Sequence, residues 1–356
     1  MKITISTGLY PPEIGGPATY TVLLENKLPE KDHEVKVLPF SLSRGLPKGI
    51  RHLHYFFLVL KASFSSDIIY AQDVGSVGFP ALLAAKLTRT RFFVRVPGDY
   101  AWEQSTQRFG VTDSIDDFQS KKYGLRVTLL KFIQATVTGR AEVVITPSDY
   151  FKKVVVGWGV SKKKVHTIYN GVNLDIDLVS QKKPSPLTMV TAGRLVSWKG
   201  IDVLIDAMQE LSVWHLVILG DGPEMDNLKE KVATMSLGSR VHFLGRVSRE
   251  DCFGWCTAAD AFVLNTHFES FSYQIVEAMY SGTPVITTNV GSIPELIESG
   301  REGLLFDPDD TDALVAAVKS VVTEKSEWSD RTKAAQAKAE TFSVQKTVDS
   351  FCELIN

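Results

Sequence analysis

The stretch F-V-L-N-T-H-F-E-S-F-S-Y-Q-I-V-E-A-M-Y-S-G-T-P-V-I-T-T-N, Phe262 to Asn289, decides the fold. Its β-branched and aromatic start, Phe262–Leu264, reads as a buried parallel strand. A short polar break and Glu269 follow, and a helix is expected from about Ser270 to Tyr280. Gly282 closes that helix, and Thr283-Pro284 leads into another apolar strand at Val285–Thr287. Two carboxylates, Glu269 and Glu277, stand eight residues apart across the joint, with Ser270 and Ser272 between them. The unpaired N–H groups of a first helical turn attract phosphate. A carboxylate just before such a turn can hold sugar hydroxyls, and one two turns on can hold a ribose. A capped helix carrying a solvated glutamate has the same spacing, so at this point both readings stand.

Outward from this stretch the same alternation continues. Strands are expected at Thr188–Ala192, His215–Leu219, Val241–Leu244 and Ala261–Leu264, with helices near Ile201–Leu211, Glu224–Met235 and Arg249–Thr257. Three loops at strand ends carry the polar chemistry. In G-R-L-V-S-W-K-G, Gly193 to Gly200, Arg194 and Lys199 suit a diphosphate, Arg as a fork and Lys as a point charge. An ion pair of either with Asp202 or Asp206 is the structural alternative. G-D-G-P-E, Gly220 to Glu224, is a glycine turn that lets backbone approach a ligand, and G-R-V-S, Gly245 to Ser248, offers main-chain contacts to a base. Helices near Thr311–Thr323, Ser326–Glu340 and Ser343–Ile355 end the chain.

The N-terminal half repeats the pattern. Lys2–Ser6 is a strand, and G-L-Y-P-P-E-I-G-G-P leads into a helix from about Pro17 to Lys27, with Gly15-Gly16 turning the backbone. Further strands are expected at Glu34–Pro39, Ile68–Ala71, Phe92–Val96, Val143–Ile145 and Val165–Ile168. After Phe92–Val96 comes P-G-D-Y-A-W-E, Pro97 to Glu103, where Asp99 and Glu103 with Tyr100 and Trp102 can shape an acceptor pocket or simply form a turn with aromatic packing. Thr106–Tyr123 reads as a polar loop. Leu125–Val137 reads as a helix, with Lys121, Lys122, Arg126 and Lys131 on a face beside Leu125, Leu129, Leu130 and Phe132 that suits an anionic membrane or a core with a solvated side. The Pro-rich S-Q-K-K-P-S-P, Ser180 to Pro186, is the linker-like stretch. It sets the expected domains at 1–178 and 187–340, with 341–356 as a final helix packing back on the first.

At 356 residues two domains are the natural division. No apolar run approaches the roughly 20 residues of a spanning helix, and the N-terminus enters a strand at once, so neither a membrane span nor a signal peptide is expected. Cys252, Cys256 and Cys352 make no disulfide framework or zinc spacing, which fits a reducing cytoplasm. Residues 1–178 hold 23 Lys+Arg against 16 Asp+Glu, and the remainder 16 against 25. The basic half suggests an anionic partner, lipid headgroups at the inner membrane face or a phosphorylated acceptor, with ordinary surface variation as the alternative.

Taken in order, these motifs resemble the family 4 glycosyltransferases, retaining enzymes of the GT-B fold. The matching residues are Gly15-Gly16, Asn170-Gly171-Val172, Gly193-Arg194 with Lys199-Gly200, Gly220-Asp221-Gly222-Pro223, Glu269 with Glu277, and Ala278-Met279, Gly282 and Pro284-Val285. The resemblance implies an α/β fold of two Rossmann-like, doubly wound domains, an acceptor-binding N-terminal one and a C-terminal one for the nucleotide sugar. It implies that Arg194 and Lys199 neutralise the donor diphosphate and that Gly16, next to Gly15, backs its distal phosphate or sugar. It also implies that Glu269 holds the sugar, that the N–H groups of Phe271, Ser272 and Tyr273 line the phosphate, that Glu277 holds the ribose and that Arg246 and Val247 border the base.

In the family no metal or other cofactor is needed, because the two cations and the helix dipole take the charge. The new bond forms on the face the leaving group departs from. Three departures stand out, the first being Tyr70-Ala71-Gln72-Asp73 where relatives often have His-x-His after the strand equivalent to Ile68–Tyr70. No His follows Phe92–Val96, where relatives often have one, so Asp99 is the candidate for that donor-sugar contact. Ser272 stands where Gly is commoner and adds a hydroxyl near the phosphate. The expected function is transfer of a hexose from a UDP- or GDP-sugar to a hydroxyl acceptor, a saccharide or lipid-linked saccharide, with no nucleic-acid partner. A nucleotide-sugar epimerase or hydrolase of the same fold, and a non-catalytic sugar-nucleotide-binding module, are the alternatives.

Overall fold

A computed structural model of the chain describes residues 1–13, 15–176 and 180–356. Ile14 of the glycine loop and the expected domain limit at 178 lie outside the described residues. The chain forms two compact units, Met1–Gly171 with Val344–Asn356, and Val172–Ser343.

The first unit is a parallel sheet of six strands, β1 (Lys2–Thr7), β2 (Glu34–Pro39), β3 (Ile68–Ala71), β4 (Arg91–Arg95), β5 (Val143–Thr146) and β6 (Val165–Thr167), in the order β2-β1-β3-β4-β5-β6. Runs such as Ile68–Ala71 and Val143–Thr146 are buried on every residue, which is why they read as continuous apolar stretches. The order reverses direction between β1 and β3. One face of this sheet carries the helices Gly16–Lys27 and Val344–Ile355, where Tyr20 and Leu24 meet Ile3, Tyr70, Phe93, Val348 and Phe351. The C-terminal helix is therefore part of the first unit's core.

The second unit has β7 (Thr188–Ala192), β8 (His215–Leu219), β9 (Val241–Gly245), β10 (Ala261–Leu264), β11 (Val285–Thr288) and β12 (Leu304–Phe306), all parallel, in the order β12-β11-β10-β7-β8-β9. This is the doubly wound order whose reversal lies between its first and fourth strands, β7 and β10, and ligands of such sheets bind beyond the strand ends at that reversal. Its core joins Met189, Leu216, Ile218, Val263 and Ile286 to Leu204, Leu314, Val318 and Trp328 of the covering helices.

Three expectations are corrected. The stretch Thr106–Tyr123 is no loop: the helix Tyr100–Phe109 runs into it and a second, Ile115–Ser120, lies within it, capped by the Ser114 hydroxyl accepting from Asp117 N. The helix after Glu269 starts at Tyr273 instead of Ser270. The linker-like segment Ser180–Pro186 belongs to the second unit, where Lys183 donates to the Pro186 carbonyl at 3.0 Å and to Asp260 Oδ2 at 2.7 Å. The chain leaves the first unit earlier, after Gly171.

Candidate active site

The loops that follow β7 and β10 are stitched together at the reversal point of the second sheet. His267 N–H donates to the Trp198 carbonyl at 2.8 Å, and the Thr266 hydroxyl donates to the same oxygen at 3.1 Å. Asn265 Nδ2, fully buried, donates to the Gly200 carbonyl at 3.2 Å. These bonds hold Lys199 against Glu269, with Nζ 2.5 Å from Oε2 and side chains only 15% and 13% exposed. The Glu269 carbonyl is held from its other side by Ser292 N–H at 3.0 Å. The alternative ion pair, Lys199 with Asp202 or Asp206, does not form: Asp206 pairs with Lys231 at 2.6 Å. Arg194, on the same loop as Lys199, is exposed and has no ion-pair partner among the described residues.

The glycines of the neighbouring loops serve close packing. Gly220 has φ +130°, and a Cβ there would lie 1.9 Å from the Gly193 carbonyl oxygen. Gly193 N–H donates to Leu219 O at 2.9 Å, and Gly220 N–H to Gly245 O at 2.7 Å, so the three loops lie against one another. Arg246 and Val247 follow immediately, with Arg246 Nε 3.3 Å from Asp221 Oδ2 in an exposed pair. The sequence-predicted residues Gly193, Arg194, Lys199, Gly220, Arg246, Val247 and Glu269 thus gather at the carboxyl ends of β7 to β10.

The helix Tyr273–Tyr280 follows Phe271 and Ser272, and the N-terminal end of a helix favours an anion. Fully buried Ser272 caps the helix, its Oγ accepting from Ile275 N at 3.3 Å. Glu277 is buried and accepts from Arg249 Nε at 2.8 Å, and Arg249 in turn donates to the Asn173 carbonyl at 2.9 Å. Burial pushes the Glu277 carboxyl up from its ordinary range, against the pull of Arg249. Sequence reasoning missed Arg249, because helix packing alone brings it to an acid 28 residues further on.

In the first unit, Gly15 caps the helix Gly16–Lys27 with φ +156° and no side-chain bond. The loop before it is braced by Arg44, which donates to Glu13 and to the Gly8 carbonyl, the latter at 2.9 Å. Asp99 is corrected. It is fully buried and caps the helix Tyr100–Phe109, with Oδ1 accepting from Trp102 N at 3.0 Å and Oδ2 from Gln119 Nε2 at 2.9 Å. Trp102 is buried too, its Nε1 donating to the Asp113 carbonyl at 2.9 Å. Asp99 therefore has a structural place, and its oxygens are spent within its own unit.

Two family models match the chain, Glycosyltransferase Family 4 over residues 14–176 and Glycosyl transferases group 1 over residues 175–340. The chain belongs to the family 4 glycosyltransferases. Among curated proteins, this chain is 29% identical over 209 residues to the lipopolysaccharide core biosynthesis glycosyltransferase of Rhizobium meliloti, covering 56% of this chain and 59% of the relative. It spans about half the length of the curated relatives it matches, as with the 45% covered of a glycogen synthase of Mycobacterium tuberculosis. Among solved structures it resembles Anabaena HepE in complex with UDP and glucose, with TM-score 0.80, 20% identity and coverage of 100% and 99% of the two chains. It also resembles sucrose-phosphate synthase of Thermosynechococcus elongatus, with TM-score 0.82, 17% identity and coverage of 99% and 98%. At these identities the likeness shows the fold, two Rossmann-like units of the GT-B type.

Proposed function

We propose that this chain transfers a hexosyl group from a nucleoside diphosphate sugar to a hydroxyl acceptor with retention at the anomeric carbon. The observation that carries the proposal is the Lys199–Glu269 pair at the reversal point of the second sheet, beside exposed Arg194 and ahead of a helix start. In this reading the second unit binds the donor and the first the acceptor. The diphosphate draws Lys199 away from Glu269 and takes Arg194 as a second cation. Glu269, so released, accepts from sugar hydroxyls, the N–H groups near Phe271–Tyr273 meet phosphate oxygens, and Glu277, aimed by Arg249, takes the ribose. The HepE complexes with UDP and with UDP-glucose make uridine the first base to try.

The C1–O bond to the β-phosphate breaks and a C1–O bond to the acceptor forms on the same face. The acceptor proton passes to the departing diphosphate. Cations already in place for that developing charge lower the barrier without a bound metal. The test is a panel of UDP- and GDP-hexoses, following nucleoside diphosphate release with and without saccharide or lipid-linked acceptors, in the presence and absence of EDTA. Acceptor-dependent release with unchanged anomeric configuration, insensitive to EDTA, is expected. Release of an altered free sugar would instead make the protein an epimerase or hydrolase, and tight donor binding with no turnover would make it a binding module.

A further inference from the structure

Three helices of the first unit, Ile50–Ser63, Gly78–Thr88 and Leu125–Arg140, form one layer on the sheet face opposite the helices Gly16–Lys27 and Val344–Ile355. Their inward residues, such as Tyr55, Val59, Leu82, Ala85, Val127 and Val137, are buried. Their outward residues are not the polar set a solvated helix presents. The first helix exposes Ile50, Leu53 and Phe57, and Phe64 just past its end. The second exposes Phe79, Leu83 and Leu87, and the third Leu125, Leu129 and Phe132. Each set follows a helical spacing of three or four residues, so each helix carries a second apolar stripe pointing away from the core. Leu87 is 69% exposed, Leu125 85% and Phe132 64%.

Single exposed apolar residues need no explanation, but aligned stripes on adjacent helices mark an interaction surface. Among the described residues, the second unit's exposed large apolar side chains are Val213, Leu244 and Val322, one to a region. The charge on the first unit's face selects the occupant. The three helices contain six Lys and Arg residues, Arg51, Lys61, Lys86, Arg126, Lys131 and Arg140, and no Asp or Glu. At the carboxyl ends of the second and third helices opens a cleft of about 420 Å³, lined in part by Lys86, Arg89, Arg140 and Lys164. Its acid, Glu142, is already paired with Arg91 at 2.9 Å. Lys86, Arg89 and Arg140 have no ion-pair partner among the described residues.

We infer that this three-helix face docks the chain on an anionic phospholipid bilayer. The stripes of leucine and phenylalanine enter the headgroup boundary, and the surrounding cations and the basic cleft meet phosphate headgroups. A protein partner or a second copy would leave an acid-free cationic face to be matched by an acidic one, whereas an anionic membrane supplies that charge everywhere. The docking does not rest on the transfer reaction. No helix among the described residues is long and apolar enough to cross the membrane, so the contact is to one surface.

The test is sedimentation of the full chain with vesicles of phosphatidylcholine alone or mixed with phosphatidylglycerol. Binding to the anionic vesicles is expected, weakening at about 1 M salt, where the Debye length is roughly 3 Å. Leu129→Glu with Phe132→Glu, and separately Leu83→Glu with Leu87→Glu, should each lower the partition at least about tenfold with an unchanged melting temperature. Lys86→Glu with Arg89→Glu should reduce binding to anionic vesicles and leave any residual binding to phosphatidylcholine unaltered. Binding to neither vesicle, equal binding by wild type and the stripe variants, or a dimer in light scattering that these variants dissociate without any vesicle binding would each overturn the inference.

Discussion

Lys199 and Glu269 are each other's partner at 2.5 Å in a nearly water-excluded spot, so neither can be removed without leaving the other charge poorly compensated. Lys199→Ala and Glu269→Ala should each lower kcat/KM at least about tenfold, roughly 1.4 kcal/mol of transition-state stabilisation. Because the two act on one donor as a unit, the double variant should lose less than the product of the single losses. Steady-state kinetics with a fixed donor checks this, and full activity in either single variant removes that residue from the site. Glu277 makes a different prediction, about pH. Burial raises its carboxyl pKa in the folded state above the ordinary 4.5, so the folded chain holds that proton more tightly than the unfolded one. The stability it contributes is complete below the unfolded value and is lost as pH rises through the raised folded value. In urea melts from acid to neutral pH, wild type should therefore lose stability relative to Glu277→Gln as pH increases. An opposite slope in that difference would mean that Arg249 outweighs burial.

At the scale of elements, the helix Tyr100–Phe109 assigns Asp99 its work. Asp99→Ala removes the cap and one of the two acceptors of Gln119 Nε2, which keeps the Ile115 carbonyl, for a loss of about 1–2 kcal/mol. Denaturant unfolding should show that loss, while kcat/KM per folded molecule stays within about threefold. A tenfold fall in kcat/KM with unchanged stability would return Asp99 to the reaction. The sequence showed the elements whose burial is complete: strands such as Val143–Thr146 lie buried on both faces, so their composition alone announces them. It hid elements whose identity depends on neighbours. Leu304–Phe306 is only three residues long and becomes a strand by pairing with β11. Y-A-W-E-Q-S-T-Q-R-F looks polar because Ala101, Trp102 and Ser105 alone face inward. The candidate site divides in the same way. Lys199 and Glu269 were legible because a parallel sheet puts both loops at its carboxyl end. Arg249 was not, since the packing of helix Arg249–Ala258 beside Tyr273–Tyr280 is a tertiary fact.

For the whole molecule, the chain passes from the first unit to the second after Gly171 and returns at Val344, so the first core is completed by its last residues. Composition could not place these crossings: the Pro-rich stretch that looks like a linker is tied into the second unit, and the exit comes directly after Asn170-Gly171. Phe351 is fully buried against Tyr70, with ring centroids 4.9 Å apart, within a core that also holds Ile3, Tyr20 and Phe93. Phe351→Ala should cost about 3–5 kcal/mol, and that cost belongs to the first unit although the residue lies at the far end of the chain. UDP acts on the other core if the donor reading is right, because a ligand stabilises the part of the molecule that binds it, by about 2.7 kcal/mol at a hundredfold excess over Kd. Calorimetry of wild type and Phe351→Ala, each with and without UDP, separates the two. The variant should show one transition lowered and a second held near its original temperature, and UDP should raise the second. If UDP instead raises the transition that Phe351→Ala lowers, the donor has been assigned to the wrong unit. If a single transition responds to both, the two cores unfold as one body and the chain's return at Val344 couples them.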